Sequence, residues 1–450
     1  MLDQIAAELL LKIAVLLDLR TVLRCRQTCR RLREILDGNM TIQYRIQLAL
    51  AGLDDAPHAG MSVAERLEKL RIHQRVWAEL DAREIFSQTT ENGVHIVVFP
   101  HAGIWVHTED GSPSSLWLHR IPSTIRGIPP GTWKFEDVGF ETDINRLFVD
   151  PAQDLLVAIE RADAIHWQQF SRVHLLSLSS GTCHPSTRGP ISTHDELPGR
   201  FAQHKIFGVQ GAYLGLYTNH ASPYYGHTDV IILNWMTGAI HLWLCGFLDV
   251  NCVFLPNHFV LVLSAEYGQD IEAYYTQPYL MVFDYVHGSG KQTDCSSVQY
   301  ICKFLYPTFK DDIGMSDFAL SLSGTNQDTS YTSEHQVPFL TSAEETLVTI
   351  SMDLWTVWKS CLSDVIDNIT HVVPASTFMR YAQAYDRLTV VYEWGQWSTQ
   401  TFMLRVDKES CHFAWGSKLM TCSKWGPQKG LRSYEFNQCS VQVSMLPGYH

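Results

Sequence analysis

With 450 residues, 46% hydrophobic and 18% charged, the chain is long enough for more than one domain and too apolar to be wholly disordered. Its 34 Lys and Arg against 47 Asp and Glu give a net charge of −13, which argues against a protein that wraps nucleic acid behind a basic footprint. The 11 cysteines, odd in number and irregularly spaced, form no disulfide framework and fit a reducing compartment, cytoplasmic and/or nuclear. The opening MLDQIAAELLLKIAVLLDLR has no basic start and no small-residue cleavage site, so no secretory signal is expected. No charge-free apolar stretch of about 18 residues occurs, so no membrane span is expected.

Residues 1–86 read as helical. Leu9, Leu10, Ile13, Leu16 and Leu17 fall at i, i+1, i+4, i+7 and i+8, the stripe of one helix face. Asp18 can cap a second short helix carrying Leu19, Val22 and Leu23, and the stripe Cys25, Cys29, Leu32 and Leu36 continues at helical spacing. Asn39 opens a further helix with Ile42, Ile46 and Leu50 inward and Gly52 just past its end. Ser62-Val-Ala-Glu65 is a capping box, followed by a helix with Val63, Leu67, Leu70, Trp77 and Leu80. Residues 20–33 hold six arginines and no acid, a solvated face or a surface for an acidic partner.

Beyond Asn92-Gly93 the pattern changes to short runs rich in Val, Ile, Leu, Phe, Tyr and Trp between Gly, Pro, Ser and Asp clusters, so strands are expected to begin there. Residues 87–450 carry 21 Lys and Arg against 35 Asp and Glu, a net charge of −14. One unit recurs: Leu155–Glu160 then HLLSLSSG, Tyr213–Thr218 then IILNWMTG, and Phe259–Ser264 then MVFDYVHG. The second runs align without gaps and each ends in a glycine, Gly181, Gly238 or Gly288, expected in equivalent turns. Paired strands at this period fit a β-propeller, and the remaining length holds six or seven units of about 40–50 residues. A β-sandwich pair is the structural rival. Twelve of the 13 tryptophans lie in this half, most of them expected between blades.

The first forty residues resemble an F-box. Glu8-Leu-Leu-Leu-Lys-Ile-Ala-Val-Leu-Leu-Asp-Leu19, then Val22-Leu23, then Cys25-Arg-Gln-Thr-Cys-Arg-Arg-Leu32 follow the family pattern. Ile5-Ala6-Ala7 stands where the family has Leu-Pro, and Leu32 where it has Trp. RIQLALAGLDD with SVAERLEKLRIHQRVW, and FVDPAQDLLVAIE, resemble phrases of a large group of fungal F-box proteins. The resemblance implies a substrate-recognition subunit of a cullin–RING (SCF-type) ubiquitin ligase. It would dock the SCF adaptor subunit, and through it cullin, and bind an unknown protein substrate. Adaptor contacts would involve Ile5, Glu8, Leu9, Ile13, Leu17, Leu19 and Val22.

The expected fold class is therefore α+β and multidomain. It has a small helical F-box region (1–40), a helical extension (41–90) and a large all-β, propeller-like substrate-binding domain (91–450). No catalytic, cofactor-binding or metal residue is expected, and neither nucleic acid nor membrane is an expected partner. HGSGKQT (287–293) falls short of a phosphate loop, with Tyr285 in place of its first glycine and Gln292 where Ser or Thr must bind magnesium. The cysteine and histidine spacings match no zinc motif. Two alternatives stand: an F-box scaffold acting outside a ligase, and a propeller enzyme, which a channel lined with carboxylates and histidines would favour.

Overall fold

The computed structural model describes residues 5–437 except 57–59, 81–95, 100–102, 110–111, 126, 141–143, 161–171, 188–190, 193–201, 221–226, 268–274, 311–312, 324–336, 359–360, 385–388, 406–409 and 424–429. The chain opens with helices α1 (Ala7–Leu16), α2 (Leu19–Thr28), α3 (Arg30–Asp37), α4 (Met40–Ala51) and α5 (Val63–Glu79). The expected local signals act as read. The Asp18 carboxylate accepts the Thr21 N–H at 3.0 Å, and Asn39 Oδ1 accepts the Ile42 N–H at 3.1 Å. Ser62 and Glu65 form the reciprocal capping box. Ala14, Val22, Leu36, Ile42 and Ile46 meet in one small core shared by α1–α4.

Strand structure starts earlier than Gly93. Leu53–Asp55 pairs antiparallel with Phe339–Thr341, across nearly 300 residues of chain. Periodicity cannot reveal a three-residue strand whose partner is so remote. Around it Tyr44, Leu48, Leu67 and Leu70 of α4 and α5 pack with Phe339. The Tyr44 hydroxyl donates to Pro338 O at 2.8 Å, Asn437 Nδ2 donates to Ala49 O at 2.7 Å, and Lys69 Nζ donates to Ile125 O at 3.2 Å. The helical extension is thus fastened to both early and late parts of the β-rich region.

Gly52 sits at this fastening with φ +66°, and a Cβ there would lie 2.8 Å from Ser417 Oγ. Gly52→Val is expected to cost about 1–3 kcal/mol through the left-handed backbone alone, with the crowding against Ser417 added to it. A urea-unfolding midpoint unchanged from wild type would contradict this.

The β-rich region is a series of antiparallel meanders taken in chain order. The first has strands Ile96–Phe99, Ile104–Glu109, Ser112–Arg120 and Gly131–Phe135. The second has Ile144–Asp150, Leu155–Glu160, Arg172–Ser177 and Ile191–Ser192. The third has Ala202–Gln210, Tyr213–His220, His227–Asn234 and Ile240–Phe247, and Gln292–Asp294 adds to its edge in parallel. The phosphate-loop look-alike ends as that edge strand. The fourth has Asn251–Leu255, Phe259–Tyr267, Tyr275–Asp284 and Cys302–Leu305. The fifth has Ile313–Leu322, Leu347–Trp358, Cys361–Pro374 and Phe402–Arg405. A single pair, Tyr275 with Met315, links it to the fourth. The last has Ser410–Trp415, Lys418–Ser423 and Gly430–Glu435.

Consecutive meanders stack face on face. Alternate side chains of Leu155–Glu160 divide between two cores: Leu156 and Ala158 pack with Val106 and Leu118 of the first meander, and Leu155, Val157 and Ile159 with Leu214, Leu216 and Ile231 of the third. The third and fourth share Ile232, Leu244, Val260 and Phe283, and the fourth and fifth share Leu261, Val282, Met315 and Ile350. Burial on both faces explains why these strands read as unbroken apolar runs rather than alternating ones. Each fully buried side chain of this kind contributes about 1.5–3 kcal/mol.

The three aligned hairpins are structurally equivalent at their ends. Leu178, Trp235 and Tyr285, all buried, donate their N–H to Asp154, Ala212 and His258 O at 2.7, 2.9 and 3.2 Å. Gly181 and Gly238 share one role, with φ of +71° and +77° and N–H bonds of 2.8 Å to Ser177 and Asn234. Gly288 departs from the expectation. It has no positive φ; a Cβ there would lie 2.2 Å from His241 O, and Gly290 takes the left-handed position instead. The backbone here runs against His241, in the last strand of the third meander, on its way into the edge strand Gln292–Asp294, and the turn is redrawn.

The region is β-rich rather than all-β. Helix α6 (Ala375–Gln383) follows Pro374 and buries Ala375, Phe378, Met379 and Ala382. These lie at i, i+3, i+4 and i+7, a short amphipathic stripe hidden among strand-like runs. Beside it, His371 is fully buried; its Nδ1 and the Tyr306 hydroxyl share a hydrogen bond of 2.6 Å, and its Nε2 has no partner. Burial pushes the imidazole pKa down to about 3. As pH falls below the ordinary histidine value, the unfolded chain takes up the proton first, so stability is lost progressively from about pH 6.5 toward 3. His371→Gln is expected to flatten this acid limb, read as urea midpoints at pH 7 and pH 5; an unchanged slope would mean His371 does not set it.

Candidate partner-docking site

Helix α1 presents an apolar face to solvent. Ala14 packs in the small helical core and Leu10 is buried, while Leu9, Ile13 and Leu16 are 53%, 49% and 86% exposed. These three lie at i, i+4 and i+7, the spacing at which one helix face offers anchors to a groove. An exposed apolar stripe on so small a unit marks a partner surface.

The helix is held at both ends by arginines the local sequence gives no reason to single out. Arg45 of α4 donates to the carbonyls of Ala14, Val15 and Leu17 at 3.1, 2.7 and 3.0 Å, satisfying the C-terminal turn of α1. Arg31 of α3 donates to Ile5 O at 2.9 Å. Arg26 makes a two-point pair with Asp37, and Arg30 pairs with Glu34. Part of the six-arginine run is therefore internal fastening, while Arg20, Arg24 and Arg33 stand exposed. Asp18, its carboxyl held below the usual range first by the Thr21 hydroxyl, fixes the α1–α2 corner.

The expected docking residues separate. Leu9 and Ile13 are on the exposed face, with Glu8 exposed in the first turn. Ile5, Leu17 and Leu19 are half-buried, and the latter two pack against the helical core. Val22 does not join the surface: it is 2% exposed, inside that core. Leu16 takes the place on the exposed face expected of Leu17. The helix ends at Leu16, and Leu17 turns to an extended backbone (φ −83°, ψ 152°), which swings its side chain inward.

Residues 7–46 match the family described as F-box-like. The chain carries an F-box-like domain. Domains of this kind typically bind the adaptor of SCF-type ligases. The matched span covers α1–α3 and half of α4, the helices that share the small core, with the exposed stripe of α1 on its outside. No curated protein matches the sequence. Among solved structures, Kluyveromyces lactis Hsv2 with its complete loop 6CD is 9% identical with a TM-score of 0.24, covering 71% of this chain and 86% of that one. A second Kluyveromyces lactis Hsv2 structure is also 9% identical with a TM-score of 0.24, over 75% and 96%. At this level of superposition they bear on neither fold nor function.

A second concave feature lies in the β-rich region, a cavity of about 670 Å³. The first strands of the second, third, fourth and fifth meanders all contribute to its wall. Asp150 is its one carboxylate among the described lining residues, which include no histidine. Among the described residues no group of three or more His, Cys, Asp or Glu is placed to hold a metal ion, and no helix is long and apolar enough to cross a membrane.

Proposed function

We propose that the chain is the substrate-recognition subunit of a cullin–RING (SCF-type) ubiquitin ligase. The observation that carries this reading is the outward stripe Leu9, Ile13 and Leu16 on an otherwise well-packed F-box-like domain. The adaptor covers that stripe, and cullin joins through the adaptor. The stacked meanders, read as degenerate blades of a six- or seven-bladed propeller, hold a target protein. The chain contributes no catalytic group; its mechanism is proximity, which raises the effective concentration of target lysines near the ligase. It works where the ligase works, in the cytoplasm and/or nucleus.

The test is co-purification of the full chain with the adaptor and cullin, followed by reconstituted ubiquitination of whatever protein co-purifies. Adaptor and cullin with target ubiquitination support the reading. Adaptor without cullin points to a scaffold outside a ligase, and neither partner overturns it.

A further inference from the structure

The cavity at the first strands has an unequal chemistry. Its wall is mostly apolar, with Phe148, Ile206, Val209 and Phe254 among its members. Its polar lining includes the hydroxyls of Tyr217, Ser321 and Thr346 and the amides of Gln153, Gln210 and Asn251, and two of its acceptors have spare capacity. Asp150 is 3% exposed, and its two oxygens accept the Ala152 N–H at 3.0 Å and Gln153 Nε2 at 2.7 Å. Those bonds fix the carboxylate in place and leave lone pairs on both oxygens. Gln210 Oε1 is buried with no hydrogen-bond partner. No Lys, Arg or His is among the described lining residues. An apolar occupant would leave Gln210 Oε1 unpaired and the Asp150 charge uncompensated, and an anion would face a carboxylate. A cation on an apolar stem satisfies both kinds of surface. Residues 87–450 add a net charge of −14, which steers basic segments toward this region.

We propose that the cavity receives a lysine or arginine side chain of a bound target protein, its stem against the apolar wall and its cationic head toward Asp150 and Gln210 Oε1. This rests on the reading of the β-rich region as a target receptor and names the class of target: a protein with an exposed basic segment. Burial holds the Asp150 carboxyl above its usual range, and an incoming cation relieves that penalty. Selectivity for the cation therefore fades as pH falls and the carboxyl is protonated.

The probe is a set of fluorescent peptides Leu-Gly-X-Gly-Leu, with X lysine, arginine, citrulline, norleucine or glutamate, titrated onto the full chain co-expressed with the adaptor. Lysine and arginine peptides are expected to bind at least ~10-fold tighter than the uncharged ones, a difference of about 1.4 kcal/mol. Asp150→Asn keeps an acceptor for the Ala152 N–H and removes the charge, so it should abolish that preference at an unchanged melting temperature. Gln210→Leu should reduce it. Equal binding of lysine and norleucine peptides, binding of none of them, or a preference unchanged in Asp150→Asn overturns the proposal. The adaptor scores the other reading: lost peptide selectivity with the adaptor retained defeats only this inference, and a chain that never captures the adaptor defeats the proposed function.

Discussion

Replacing Leu9, Ile13 and Leu16 together with Asp is expected to abolish capture of the SCF adaptor while leaving the fold intact. All three side chains already face water, so the charges meet solvent in the free chain and the stability change stays small. In the complex the same face is covered, and an uncompensated buried carboxylate costs about 3–5 kcal/mol. Since about 1.4 kcal/mol is tenfold in affinity, even one such burial weakens binding more than ~100-fold. Val22→Asp is the contrasting control. It places a carboxylate inside the small helical core, so adaptor binding is lost together with the fold of that unit. Co-precipitation beside a thermal melt separates the two. Undiminished capture by the triple variant would show that the adaptor meets another face.

The largest single loss of stability is expected from Phe304→Ala. Phe304 is fully buried, and the rings of Phe378, Tyr381, Tyr392 and Trp397 surround it with centroids 5.2–5.5 Å away. It joins the fourth meander to α6 and to the parallel strand Val390–Tyr392. Removing a buried phenylalanine ring costs about 3–5 kcal/mol, through lost transfer energy and the cavity left behind. Aromatic neighbours are rigid and close such a hole poorly. Chemical unfolding of the full chain measures the loss, and a decrease under about 1 kcal/mol would show that the cluster collapses around the gap.

Much of the helical unit was legible in the sequence because its signals are local. Asp18, Asn39, Gly52 and the Ser62–Glu65 box each act within a few residues of where they stand. The paired β runs were legible for the same reason, since each hairpin closes over a short loop. What the sequence hid was long-range. The Leu53–Asp55 strand has meaning only against Phe339–Thr341, and the Arg45 caps on α1 come from another helix. Gly288 aligned with Gly181 and Gly238, yet a strand from outside the repeat changed its task. On α1 the periodicity picked out Leu9 and Ile13, which stand exposed. It did not show that the helix stops one residue before Leu17, and that stop decides which leucine meets solvent.

The clasp between the helical extension and the β-rich region also bears on biosynthesis. The small core of α1–α4 is complete once residue 50 has emerged from the ribosome, so the exposed stripe of α1 can form early. The second helical core waits for Phe339, and the bond to Ala49 waits for Asn437, 388 residues further on. Until then Leu48, Leu67 and Leu70 lack part of their cover, and such transiently exposed apolar surface is what chaperones recognise. A chain cut short before Val337 would keep α1 and its exposed stripe but lack the seam that joins the helices to the β-rich region. The clasp thus orders assembly: residues as far along as Asn437 must be made before the two parts of the molecule are locked in a fixed relation.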